Sequence, residues 1–234
     1  MNFRIFNFSI IFFIYLSLFS SISRSQIVYS ESNNTPHILK FDNYNITEKK
    51  YDSKIIGSAY IYEDWKAADI KMTTDSAIYQ DILIKVDILN NLIEIKDANE
   101  IKILPEKLTG FFIIKETDEI FITKNKLNNC ILNGFSKVLY NGKTSLLSNY
   151  SARIKKANYN IALDVGNRND EIIIEKKYFL LINKELKEVN RNKKKFIDSF
   201  AFNSKIQDFI KEKNISPKNE NDLIALLTFI DSIL

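Results

Sequence analysis

From Gly57 to about Asn190 apolar residues recur at every second position, and this period confines the chain to a β-rich fold. Ile82, Ile84, Val86 and Ile88 alternate with Lys85 and Asp87, as in a half-buried strand whose successive side chains point to opposite faces. Asn90-Asn91 then supplies a turn, because asparagine accepts positive φ, and Leu92–Lys96 returns with Ile93 and Ile95. A two-residue loop here predicts Ile88 opposite Ile93 and Val86 opposite Ile95, which keeps one face apolar. The same register sets Asp87 against Glu94 and Lys85 against Lys96, like-charge pairs that disfavour it.

Further short strands are predicted at Ile101–Leu104, Gly110–Lys115, Ile120–Thr123, Ser136–Tyr140, Lys143–Leu147 and Ile172–Asn183. Turn residues separate them, and Asn141-Gly142 carries the strongest hairpin signal. Strands at this spacing, with no helical pattern between them, predict an antiparallel meander arranged as a barrel or sandwich. The period changes near Asn190. Ser204 with Gln207 reads as a capping box opening a helix with Ile206, Phe209 and Ile210 on one stripe. Ser216-Pro217 restarts the chain, and Leu223, Leu226, Leu227, Ile230 and Ile233 form a second stripe. The expected class is α+β: a β-rich body over residues 57–190 and two to three short helices over 191–234, packed on the sheet.

The N-terminus reads as an export signal. Arg4 provides a positive start, Ile5–Phe19 a largely apolar stretch, and Ser23 and Ser25 the small-x-small spacing that a signal peptidase needs. Cleavage is expected after Ser25, with a periplasmic or extracellular mature chain; the alternative is an anchor formed by an uncleaved N-terminal helix. Asn7 and Ser9 interrupt the apolar stretch, which falls short of the roughly 20 residues a spanning helix needs. Residues 26–56 are polar and read as a poorly ordered entry segment.

Export changes the charge balance. Of 33 Lys and Arg, the leader takes Arg4 and Arg24, leaving 31 against 29 acids, so the mature chain carries a net +2. That removes the main support for nucleic-acid binding, which depends on clustered phosphate neutralisation. Cys130 is the single cysteine and precludes an intrachain disulfide. His37 is the single histidine and lies in the entry segment, away from any predicted strand, so neither a zinc site nor a Cys–His pair is read here. The five glycines are scattered and form no phosphate-binding loop, and no cofactor is implied. Asp164–Asp170 is rich in oxygen ligands but lacks EF-hand spacing and reads as a plain loop.

Two groups of residues are candidates for interaction. Glu63 and Asp64 beside Trp65 put acids next to an aromatic platform, an arrangement that suits sugar; a hydrolase would need two carboxylates about 5–10 Å apart, one with a raised pKa. Arg191 with Lys193, Lys194 and Lys195 is the densest charge run and suits anionic headgroups or a polyanionic partner. Lys outnumbers Arg 28 to 5, so a lysine run is also ordinary surface in this composition.

Gly57-Ser58-Ala59-Tyr60-Ile61, then Glu63-Asp64-Trp65 and the Tyr79-x-Asp81-Ile82 strand, resembles the entry of a family of secreted proteins of Bacteroidetes-type bacteria with a "GSPYL" opening. Tyr140–Leu147, Lys176–Leu181 and the stretch from Lys193 through Phe209-Ile210-Lys211 to Asp222-Leu223-Ile224 are similar to later parts of that family. Ala59 stands where the family favours proline. The resemblance covers about residues 57–234 and implies export, a β-rich body and a helical tail; it attaches no activity, cofactor or site residue. The expectation is therefore an exported, non-catalytic binding or structural component of the cell envelope, whose partner is an envelope protein or a glycan. Two alternatives stand beside it: a carboxylate-based hydrolase of envelope polysaccharide, and a peripheral membrane protein attached through Arg191–Lys195.

Overall fold

A computed structural model describes residues 55–234, apart from 75–76, 99, 128–130 and 161. The leader, the entry segment up to residue 54, His37 and Cys130 lie outside the described residues. Eleven strands are described: β1 (Ile55–Ile56), β2 (Lys66–Met72), β3 (Ile78–Asp87), β4 (Leu92–Asp97), β5 (Glu100–Pro105), β6 (Thr109–Ile114), β7 (Glu119–Thr123), β8 (Phe135–Asn141), β9 (Ser145–Lys155), β10 (Asp170–Ile182) and β11 (Glu185–Glu188). A short helix α1 (Lys124–Leu127) follows β7, and three helices close the chain: α2 (Lys193–Asp198), α3 (Ser204–Glu212) and α4 (Glu220–Ile233). The α+β class, with an antiparallel β body and C-terminal helices, is what the structure shows.

The strands form one continuous sheet in the order β10-β9-β8-β7-β6-β2-β3-β4-β5. The outer edge of β10 is shared by β1, which pairs in parallel at Asp170–Glu171, and by β11, which pairs antiparallel at Phe179–Ile182. Ile55 and Ile56, at the end of the expected entry segment, pair along the edge of β10.

A three-residue 3-10 turn, Glu106–Leu108, joins β5 to β6, yet β4, β3 and β2 lie between those strands in the sheet. On a flat sheet that separation is about 19 Å, and three residues at about 2 Å rise each do not span it. The β2–β5 part must therefore curl over the β6–β9 part. A contact between the two parts agrees: a Cβ on Gly134 would lie 2.2 Å from Asn91 Oδ1. The β3–β4 turn is seated against the segment entering β8.

The curl encloses an aromatic core. Phe112 and Phe121 stack at 4.8 Å and Phe135 meets Phe112 edge-on at 5.7 Å; all three are fully buried. A second core forms where the helices cover β8–β10. Leu146, Tyr178 and Leu180 on the strands pack with Phe196, Ile210 and Leu226 on the helices. Leu223, Leu226, Leu227 and Ile230 are all buried along α4, the i, i+3, i+4, i+7 stripe read from the sequence; Ile233, at the helix end, is exposed.

Three local expectations are corrected. The β3–β4 loop spans four residues, not two, so Val86 faces Ile93, Ile84 faces Ile95 and Lys85 faces Glu94. Asp87 explains the shift: its carboxylate accepts from Asn90 N at 3.0 Å and Asn90 Nδ2 at 2.9 Å, closing a side-chain-supported turn, while opposite charges replace like ones across the ladder. Helix α3 is capped by Asn203, which accepts from Lys205 N, one residue before the expected Ser204; Gln207 Nε2 instead donates to Ile197 O at 3.1 Å. The Asn141-Gly142 hairpin has Asn141 opposite Ser145, leaving a three-residue loop, because Asp231 of α4 binds the amides of Lys143 and Thr144.

Candidate functional site

Between the two cores the helix-facing side of the sheet turns polar. Cross-strand register places Phe121, Lys137, Ser148 and Tyr178 in one row over β7, β8, β9 and β10, with their side chains on the same face. One rung along, Tyr150 faces Lys176. Tyr62, from the segment before β2, and Glu220, from the first turn of α4, come in from above.

Two ion pairs organise this seam. Glu119 accepts from Lys137 Nζ and from the Tyr62 hydroxyl. Glu220 accepts from Lys176 Nζ, and from Tyr178 Oη at 3.1 Å. Glu220 also feels the charge of Lys137, so carboxylates and ammoniums alternate along the row. Its place in the first turn of α4 adds the favourable end of the helix dipole. Rings wall the seam: Phe121 lies 6.4 Å from Tyr62 and 6.3 Å from Tyr150, while Lys176 Nζ sits 5.8 Å from the Tyr150 centroid and 5.6 Å from that of Tyr178, within cation–π range. The charged side chains remain partly open, from 23% for Lys137 to 37% for Lys176.

Five groups of the seam are pushed further into their ordinary charge states. Burial pushes the Glu119 carboxyl up, but the Lys137 and Tyr62 hydrogen bonds outweigh it and hold it below the usual carboxylate range. Glu220 is lowered likewise: burial opposes ionisation and the Lys176 pairing prevails. Burial disfavours the Lys176 ammonium, yet Glu220 raises it above the ordinary lysine value. Tyr62 is raised by burial and then by Glu119, and Tyr178 by burial foremost.

These directions fix an acid dependence. A carboxyl lowered on folding contributes stability that is complete above its unfolded value of 4.5 and is lost as pH falls through the folded one. The urea midpoint is expected to fall between about pH 5 and pH 3, and to fall less in the Glu119→Gln/Glu220→Gln variant. Equal acid slopes in the two proteins would mean that the seam pairs add nothing in solution.

Ser148 forms the floor. It is fully buried and its hydroxyl has no hydrogen-bond partner among the described residues. Other buried hydroxyls behave differently: Thr109 donates to Pro105 O, Thr123 to Thr109 O and Thr144 to Asp231, and Ser136 accepts from Asn149 Nδ2. An unmet buried hydroxyl costs about 1–3 kcal/mol.

The residues singled out in the sequence lie elsewhere. Glu63 and Asp64 are both exposed, in a bend before β2, and Asp64 acts on the charge of Lys66. The half-buried Trp65 ring has Lys85 Nζ at 5.6 Å and Lys96 Nζ at 5.9 Å, so lysines, not the neighbouring acids, flank the platform. The basic run straddles the start of α2. Arg191 donates to Lys176 O and Lys193 to Asn214 Oδ1, whereas Lys194 and Lys195 are exposed. In the Asp164–Asp170 loop, Asp164 accepts from Tyr159 and from Arg168 at 3.1 Å. Among the described residues no group of three His, Cys, Asp or Glu is placed to hold a metal.

A concavity, about 260 Å³ in volume, lies between the β10–β11 hairpin and α2. Phe196, Phe200, Leu180 and Val189 form its floor and Phe202, 70% exposed, its rim. Asn183, Glu185, Lys187, Glu188 and Ser199 complete its lining.

No family model, curated protein or solved structure matches the chain. No helix among the described residues is long and apolar enough to cross a membrane.

Proposed function

We propose that the chain is exported and acts in the cell envelope as a non-catalytic binding or interaction component, with the seam between its two cores as the recognition surface. The carrying observation is the electrostatic state of that seam. General acid–base chemistry needs a group poised to exchange a proton near the working pH, and a carboxylate hydrolase needs one carboxyl raised. Glu119 and Glu220 are both lowered and Lys176 is raised. Fixed charges, an unmet hydroxyl and flanking rings suit holding a ligand better than turning one over. Export rests on the leader read in the first 25 residues.

The test is crosslinking in intact cells, followed by mass spectrometry of the recovered protein. A terminal peptide beginning at Gln26, together with a recurrent covalent neighbour, is the expected result. A retained Met1 leader would replace export with anchoring, and turnover of an envelope polysaccharide by the purified protein would replace binding with hydrolysis.

A further inference from the structure

We propose that the Lys137–Ser148–Tyr178 row is the floor of a site for an uncharged, hydroxyl-rich ligand, a neutral glycan segment. The inference rests on the binding reading above and adds the ligand class.

Ser148 points to what the ligand must bring. Its hydroxyl both donates and accepts, and neither capacity is used among the described residues. A ligand hydroxyl meets both needs at once; a carboxylate or an ammonium meets only one. The surrounding charges exclude ionic ligands more strongly. Glu119 with Lys137 and Glu220 with Lys176 already cancel, so a charged ligand must displace one partner and leave the other half-buried without compensation. A neutral hydroxyl takes a hydrogen bond from an ammonium, or gives one to a carboxylate, with both pairs intact. The walls complete the match. Tyr62 and Tyr150, both half-buried, pack against the buried Phe121 ring at 6.4 and 6.3 Å centroid spacings, and such half-open rings offer apolar faces to the C–H side of a sugar while the tyrosine hydroxyls stay polar. Lys137 is the cross-strand neighbour of Ser148, and a shift of its long stem that leaves the ammonium on Glu119 opens the hydroxyl to the ligand.

The test compares the wild-type mature chain with the Ser148→Ala and Tyr150→Leu variants. Each is titrated by calorimetry with maltohexaose, cellohexaose and chitohexaose, with hexagalacturonate as the charged control. At least one neutral hexasaccharide is expected to bind, and Ser148→Ala should weaken it about tenfold or more, the value of one hydrogen bond. The same substitution should raise the melting temperature of the unliganded protein by about 2–4 °C, since it removes an unmet buried hydroxyl. A merely structural serine would lower the melting temperature when replaced. Tyr150→Leu, at the half-open rim, should weaken the same sugar without that gain. Preference for hexagalacturonate, or equal neutral-sugar affinity in all three proteins, overturns the proposal. Failure of all three neutral sugars overturns the ligand class. If a recurrent crosslinked neighbour is nevertheless recovered from cells, the binding role survives that failure; if neither sugar nor neighbour is found, both readings fall.

Discussion

Replacing Asp231 with alanine is expected to lower the melting temperature by about 5–15 °C. Asp231 sits in the last turn of α4, where the helix dipole disfavours an anion, so its place depends on what it binds. Four donors from the β8–β9 region converge on it: Tyr140 Oη at 2.8 Å, Lys143 N at 2.8 Å, Thr144 N at 2.9 Å and Thr144 Oγ1 at 2.6 Å. Hydrogen bonds to a charged group contribute about 1.5–3 kcal/mol each and do not add fully, so a net loss of about 2–4 kcal/mol is expected. Thr144 is 1% exposed, and water replaces the lost carboxylate poorly there. Asp231→Asn keeps the shape and half of the acceptors and should fall between wild type and alanine. Gly142→Ala should act in the same direction, because its Cβ would lie 2.0 Å from Asp231 Oδ2. Thermal melts of the three variants check the order. A change below 2 °C for alanine would mean that α4 docks through its apolar stripe alone.

Phe112→Ala should have the second large effect, a loss of about 3–5 kcal/mol in urea unfolding. Phe112 is fully buried, stacks on Phe121 with planes 6° apart and meets Phe135 edge-on. It lies on β6, opposite Ile70 of β2, at the place where the curled half of the sheet closes over the other. Removing the ring leaves a cavity bounded by strands that cannot collapse without changing register. Phe121 also borders the seam, so loss of the near-ultraviolet signal of the neighbouring tyrosines should accompany the loss of stability. A cost under 1.5 kcal/mol would show that the β2–β5 half does not rely on this ring stack.

The sequence made some of this visible and hid the rest for definable reasons. Alternation along Ile82–Ile88 and the stripe Leu223–Ile230 reflect local periods, so strand and helix positions were legible. Register was not, because Asp87 sets it with side-chain hydrogen bonds to Asn90 that compete with the backbone turn signal. At Gly142, glycine suggested a turn of special φ; the structure uses its missing Cβ to admit a carboxylate from a residue 89 positions away. The seam was invisible for a similar reason. Tyr62, Glu119, Lys137, Ser148, Lys176 and Glu220 come from six separate segments, and each alone is an ordinary polar residue on a strand or helix end. The available signal was weak: Lys137 and Ser148 are polar on the parity otherwise occupied by Phe135, Leu146 and Tyr150. Glu63, Asp64 and Trp65 attracted notice because they are adjacent in the chain, and adjacency says little about convergence in a sheet.

The short link between β5 and β6 also bears on how the chain reaches its fold. Strands β2–β5 can pair as soon as they are available, but the outer edge of β2 is completed only by β6, from Thr109 to Ile114. Until those residues arrive, Lys66–Met72 presents bare amide and carbonyl groups on a half-apolar strand, the kind of edge that recruits other chains. An early-terminated product ending near Pro105 would keep that edge permanently. The order of synthesis therefore leaves a window for self-association in the first half of the domain, and it closes only when the second half folds back.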